Sequence, residues 1–94
     1  MDQRVIDLGV PVHYIDFGGS GAPMVLVHGL GGSAINWLGV GPSLSRRYRV
    51  VALDLAGFGE TPPVTGSTGL AAHRDLLDRF LVSVIAGPAV VVGN

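Results

Sequence analysis

The sequence predicts an α/β fold, a three-layer αβα sandwich in which helices cover both faces of a mostly parallel sheet. Short apolar segments alternate with helical segments, which is typical of strands joined by crossover helices. Met24 to Val27 is a continuous apolar run, and Tyr48 to Leu53 is another apolar segment, interrupted only by Arg49. Continuous apolar strands favour a sheet that is covered on both faces. Leu70 to Ala86 has the spacing of an amphipathic helix that packs on such a sheet.

The chain is predicted to begin with two strands in a hairpin-like pair. Arg4 to Leu8 forms the first strand, and Val10 to Phe17 forms the second, in which apolar residues recur at every second position. Gly9 lies between the two strands and permits a tight turn. A glycine-rich loop then leads into the apolar strand that begins at Met24.

The second half of the chain alternates helices with strands. Pro42 is predicted to begin a short helix that ends near Arg47, because proline suits the first position of a helix. A long loop is predicted from Asp54 to Gly66, and Ala89 to Val92 is predicted to form the last strand. In the long helix between them, an apolar stripe is expected to face the sheet. This stripe consists of Leu70, Leu77, Leu81 and Val84, and it is widened by Leu76, Phe80 and Ile85.

Composition limits the chain to one domain and excludes several classes of function. The 94 residues are 48% apolar and 14% charged, which excludes a disordered segment. Because the net charge is −1, neither nucleic acid nor a membrane is an expected partner. The absence of cysteine excludes thiolate nucleophiles and cysteine-based zinc sites. Met1 to Arg4 lacks the start of a signal peptide, so a cytoplasmic location is expected.

Three loops follow the carboxyl ends of predicted strands, where ligands bind in open α/β sheets. The first runs from His28 to Gly32, and its glycines let the backbone approach a substrate closely and turn its N–H groups inward. The second runs from Asp54 to Thr61. The third begins with Gly93 and Asn94. Any chemistry is therefore expected at this edge of the sheet.

In this order, the three loops resemble the amino-terminal half of the α/β-hydrolase fold, over essentially the whole chain from Arg4 to Asn94. The first loop reads H-G-L-G-G and is similar to the family's oxyanion loop, and the second reads D-L-A-G-F-G-E-T and is similar to the family's D-x-x-G-x-G-x-[ST] motif. Gly93 and Asn94 resemble the first two residues of its G-x-S-x-G nucleophile elbow. The resemblance implies the strand order 1-2-4-3-5. Residues 1–94 would then be the amino-terminal part of a single domain, with strands one to five and the first two helices.

The resemblance also implies a serine hydrolase that cleaves a small ester, amide, lactone or carbon–carbon bond through an acyl-enzyme. The backbone N–H of Leu30 would stabilise negative charge on the carbonyl oxygen during catalysis. The residues that would support this loop are His28, Gly29, Gly31 and Gly32. Gly93 and Asn94 would lead to the nucleophile, which would be the next residue in the chain, and the acid and base would come later.

Serine is favoured as the nucleophile because Gly31 stands where the epoxide- and haloalkane-cleaving branches usually carry proline. No metal or organic cofactor is implied. The expected partners are a small-molecule substrate and the remainder of the hydrolase domain, in the same or a separate chain.

The second loop is expected to have a structural role. Asp54 would hold its own loop by hydrogen bonds from backbone N–H groups, and Gly57 and Gly59 would shape that loop. Two histidines, His13 and His73, are predicted to be solvated and to take no part in the chemistry, because the family's general base follows the nucleophile.

Two other classes of function remain open. Gly29 to Ala34 fits G-x-G-x-x-[GA] after an apolar strand, with Asp54 at the end of the next strand, which is the pattern of a dinucleotide-binding Rossmann oxidoreductase. That site needs a long helix that starts in the loop, and Gly39, Gly41 and Pro42 disfavour one. The second alternative is a non-catalytic binding protein with the hydrolase fold, and the residue at the nucleophile position would discriminate it.

Overall fold

A five-stranded sheet forms the centre of the structure, a computed structural model that describes residues 1–64 and 69–94. The strands are β1 (Asp2–Asp7), β2 (Pro11–Gly18), β3 (Ala22–Val27), β4 (Tyr48–Leu53) and β5 (Val90–Gly93). The helical segments are a 3-10 helix (Ala34–Trp37), α1 (Gly41–Leu44), α2 (Leu70–Phe80) and a π-helical turn (Leu81–Ile85). The predicted loop from Asp54 ends at Gly66, which lies outside the described residues.

The strand order is β1-β2-β4-β3-β5, as the resemblance to the α/β-hydrolase fold implies. β3 runs parallel to both β4 and β5, whereas β2 runs antiparallel to β1 and to β4. The predicted α/β fold class is therefore confirmed, and the sheet is mixed, with its parallel part formed by β3, β4 and β5. The carboxyl ends of these three strands meet at one edge of the sheet.

Apolar side chains are buried on both faces of the sheet. On one face, α2 packs through Leu76 and Phe80 against a cluster that includes Val12 and Val51. On the other face, Trp37 and α1 cover a second cluster; its members include Ile15, Phe17, Leu26 and Val50. The inner strands β3 and β4 contribute to both clusters, which explains their continuous apolar sequences.

The predicted apolar stripe of the long helix faces the sheet everywhere except at Leu70. Leu76 and Phe80 belong to the core cluster, and the residues that pack against this cluster are Leu77, Leu81, Val84 and Ile85. Leu70 is 86% exposed, whereas the buried residues of α2 are Ala72, Leu76 and Phe80. These three residues are spaced four apart and form one ridge along the helix, and this ridge contacts the sheet. Leu77 lies beside the ridge and is only half-buried. The apolar residues alone did not determine which of two adjacent ridges would be central.

The helix ends almost where the sequence predicts. Regular α-helix stops at Phe80, and one π-helical turn continues to Ile85. Ala86 then adopts a left-handed conformation, with φ of 60°, and ends the turn. Among the described residues, no helix has the length and apolar character needed to cross a membrane.

Candidate active site

The carboxyl edge of the sheet brings the first and third loops together. The backbone N–H of Asn94 donates to the carbonyl oxygen of Val27, 3.2 Å away, so the chain after β5 follows the end of β3. A Cβ atom built on Gly29 would lie 3.2 Å from the Asn94 carbonyl oxygen. The first loop therefore touches the chain at the position where the sequence places the approach to a nucleophile.

Two hydrogen bonds fix the peptide group between Gly29 and Leu30. The carbonyl oxygen of Gly29 accepts from the His28 Nδ1–H at 2.8 Å and from the Gly32 N–H at 3.0 Å. In a trans peptide, the C=O and the following N–H point in opposite directions. The Leu30 N–H is therefore directed away from these two donors. Gly31, with φ of 78°, supplies the left-handed residue of this turn.

The buried ring of His28 connects the first loop to the second. Its Nε2 accepts from the Leu55 backbone N–H at 3.0 Å, while its Nδ1 donates to Gly29. This pair of contacts requires the neutral tautomer with the proton on Nδ1. Phe58 of the second loop packs edge-on against the His28 ring, with 5.4 Å between ring centroids. His28 therefore links the first loop to the second through both hydrogen bonds and ring packing.

The carboxylate of Asp54 is almost fully buried and has three hydrogen-bond donors. Ala34 N–H donates to Oδ1 at 2.7 Å, and Glu60 N–H donates to Oδ2 at 2.9 Å. The third donor is His13 Nδ1, which lies 2.7 Å from Oδ2. Burial raises the pKa of Asp54. The three hydrogen bonds and the charge of His13 together lower it by more than burial raises it, so the net shift of the pKa is downward.

Two glycines let the second loop fold around Asp54. Gly59 has φ of 53°, and a Cβ atom at this position would overlap the Asp54 carboxylate. Gly57 has φ of 81°, and its nearest neighbours would be Pro63 atoms at 3.9 Å. Position 59 therefore requires glycine both for its backbone conformation and because the Asp54 carboxylate lies so close. Position 57 requires glycine only for its backbone conformation.

His13 is the site residue whose environment the sequence analysis predicted wrongly. It is 6% exposed rather than solvated, because β2 is an inner strand and has neighbours on both sides. Its backbone N–H donates to Thr61 Oγ1 at 3.0 Å, and its ring contacts Asp54. The signal that could have identified it is the run of apolar residues around it, since a polar residue inside a buried strand needs a partner.

The second histidine of that prediction lies on α2. His73 is half-buried, its ring packs against Phe58 with 5.9 Å between centroids, and its Nδ1 is buried without a hydrogen-bond partner among the described residues. The prediction that His73 is solvated is therefore wrong. Its ring extends the aromatic row that begins at His28.

The helices after the first loop do not suit a dinucleotide. The segment that follows Ser33 is a 3-10 helix of four residues, Ala34–Trp37, and α1 also has four residues. A pyrophosphate site needs a long helix that begins in the loop. The geometry instead presents one directed backbone N–H, that of Leu30, beside the end of β5. Such a donor can stabilise an oxygen that gains negative charge.

Comparisons with known proteins place these features in one family. A sequence model of the alpha/beta hydrolase fold matches residues 22–94. The chain is 39% identical over 90 residues to 2-hydroxy-6-oxo-6-(2'-aminophenyl)hexa-2,4-dienoic acid hydrolase of Metapseudomonas resinovorans, covering 92% of this chain and 31% of the relative. It is 37% identical over 86 residues to the dihydrolipoyllysine-residue acetyltransferase component of the acetoin cleaving system of Cupriavidus necator, covering 92% of this chain and 23% of the relative.

A solved structure shares the same arrangement. The crystal structure of a membrane phospholipase A, described as a bacterial virulence factor, superimposes with a TM-score of 0.90 at 29% sequence identity. The superposition covers 99% of this chain and 31% of the phospholipase chain. The chain thus spans about a quarter to a third of the length of these relatives. With the strand order, the two loops and the family match in agreement, the chain belongs to the alpha/beta hydrolase fold family.

Proposed function

We propose that the chain is the amino-terminal part of a serine hydrolase of this family, and that it supplies half of the oxyanion hole. The substrate would be a small ester, amide, lactone or carbon–carbon-bonded ketone, cleaved through an acyl-enzyme. The Leu30 N–H would bind the carbonyl oxygen as it gains negative charge. The nucleophile would be the residue that follows Asn94, and the remaining machinery would come from the rest of the domain.

The observation that carries this proposal is the fixed Gly29–Leu30 peptide. Its carbonyl is held by two donors from the loop itself, so the opposite N–H is directed before any substrate arrives. Preorganised donors of this kind lower a barrier because the enzyme does not have to reorient them during the reaction. The contact between Gly29 and Asn94 brings this N–H close to the expected elbow.

A fluorophosphonate probe tests the proposal on the complete protein. The probe reacts covalently with an activated serine, and an intact mass spectrum counts the adducts. The expected result is one adduct per molecule, and no adduct when the protein is heat-denatured before the probe is added. An unmodified mass would contradict the serine mechanism, and would leave an aspartate nucleophile or a non-catalytic protein with this fold.

A pair of glycine variants tests the loop. Gly29→Val places a branched side chain against the Asn94 carbonyl and displaces the loop, so the labelling rate is expected to fall about 10²-fold or more, the effect of losing one oxyanion donor. Gly39→Val is the matched control, because a Cβ atom there has open space and no left-handed φ. Equal labelling rates for the two variants would show that the loop does not contribute to the reaction. Circular dichroism verifies that both variants are folded.

Acyl transfer is a second candidate, favoured by the acetyltransferase component among the relatives. It would use the same acyl-enzyme and oxyanion hole, with an alcohol, amine or thiol in place of water. Product analysis in the presence of an added thiol distinguishes the two activities. A thioester product in excess over the free acid would favour transfer.

A further inference from the structure

The buried contact between His13 and Asp54 has no direct role in the proposed reaction. His13 lies on β2 and Asp54 follows β4, and their side chains meet at 2.7 Å with both almost excluded from solvent. The lowered pKa of Asp54 means that its carboxylate is ionised, so it can only accept. His13 Nδ1 must therefore carry a proton and donate.

The other ring nitrogen of His13 faces outward to oxygen atoms. Its Nε2 lies 3.1 Å from Gln3 Oε1 and 3.2 Å from Glu60 Oε2. Gln3 belongs to β1, and Glu60 belongs to the second loop. The ring is thus held at both ends and has little freedom to rotate. Among the described residues, it is the only side chain that donates to Asp54.

The orientation of the Asp54 carboxylate in turn determines a backbone position in the first loop. Oδ1 accepts from the N–H of Ala34, which begins the 3-10 helix that follows Gly32 and Ser33. Oδ2 is shared between His13 and the Glu60 N–H. If the carboxylate rotated, the buried Ala34 N–H would be left without a hydrogen-bond acceptor. The first loop would then lose its anchor at the carboxyl end.

We propose that His13 is a positioning residue for the oxyanion loop: its ring fixes the rotation of the Asp54 carboxylate, which anchors the loop at Ala34. This inference rests on the proposed function for the meaning of the loop, but its structural part stands on the three contacts alone. The ring acts through Asp54 and does not touch the Leu30 peptide. Its removal is therefore expected to disturb Ala34 before it disturbs the sheet.

The test compares two substitutions at position 13 in the complete protein. His13→Asn retains a donor near the position of Nδ1, whereas His13→Leu has a similar size and no donor. Amide hydrogen exchange measured by NMR reports on Ala34, and the Val25 amide in the core of β3 is the internal reference. In His13→Leu, the protection of Ala34 is expected to fall about tenfold or more relative to Val25. In His13→Asn, most of that protection is expected to return.

The outcomes separate this inference from the proposed function. Unchanged protection of Ala34 in His13→Leu would overturn the positioning role, and so would equal losses at Ala34 and Val25, because these would indicate a merely structural contribution. Loss at Ala34 in the leucine variant without recovery in the asparagine variant would also overturn it. The exchange measurement needs no catalysis, so it stands if fluorophosphonate fails to label the protein. If labelling succeeds, His13→Leu is expected to slow it and His13→Asn to restore it.

Discussion

Replacing Gly59 by alanine tests how closely the second loop is fitted to Asp54. Gly59 has a left-handed backbone, which costs an alanine about 1–2 kcal/mol. The new Cβ atom would also overlap the Asp54 carboxylate and force it away from its donors. Loss of one hydrogen bond to a charged group costs about 1.5–3 kcal/mol. Alanine recovers about 0.4–1 kcal/mol by restricting the unfolded chain. We expect Gly59→Ala to lower the free energy of unfolding by roughly 1.5–4.6 kcal/mol.

Gly57→Ala is the matched control, because it shares the left-handed backbone but its new Cβ atom would make only an ordinary van der Waals contact, with Pro63 at 3.9 Å. It is expected to cost only the backbone contribution, roughly 0–1.6 kcal/mol. Equilibrium unfolding in urea, followed by the fluorescence of the single tryptophan, measures both variants. Equal losses of stability in the two variants would refute the close approach of Asp54 as the reason for glycine at position 59.

Three further predictions concern the core, the edge of the sheet and pH. Phe80 is fully buried and packs edge-on against Tyr14, with 5.1 Å between ring centroids, so Phe80→Ala is expected to cost about 3–5 kcal/mol in urea unfolding. Val82→Ala, at an exposed position of the same helical segment, should change stability by no more than about 0.5 kcal/mol. When residues 1–94 are produced alone, Val91 is 46% exposed on β5, whose open edge can pair with another chain and so promote aggregation. Val91→Lys is then expected to reduce aggregation in light scattering, and an unchanged aggregation rate would contradict this. The lowered pKa of Asp54 stabilises the folded state fully above its unfolded pKa of about 3.9, and this contribution is lost as pH falls through the folded value. Acid unfolding followed by circular dichroism should therefore be shallower in Asp54→Asn, and an identical slope would show that Asp54 does not contribute.

The sequence predicted the sheet better than it predicted the contacts across it. Tyr48 to Leu53 was predicted with its observed bounds, because a strand covered on both faces is apolar at successive positions, as Val50 to Leu53 are. The three loops were placed at one edge because parallel strands end together. Both inferences use short-range patterns that any strand of this kind must carry.

The pair of His13 and Asp54 could not be predicted in the same way. The two residues are 41 positions apart, and their contact depends on β2 pairing with β4 rather than with β3. The apolar residues around His13 could indicate that it is buried, but its partner is known only when the neighbouring strands are known. The sequence likewise did not show which ridge of α2 is more deeply buried, because two adjacent ridges of the helix are both apolar and only the sheet selects between them.

The position of β4 has a consequence for synthesis of the chain. β4 lies between β2 and β3, and both of these strands are made before it. Until β4 has left the ribosome, β2 and β3 each expose an open strand edge, and the apolar clusters on both faces are incomplete. The nascent chain is therefore expected to be most prone to misassembly before residue 53 emerges. A pause in translation before β4 would prolong that exposure, whereas a pause after β4 would leave open only the edge of β3 that pairs with β5.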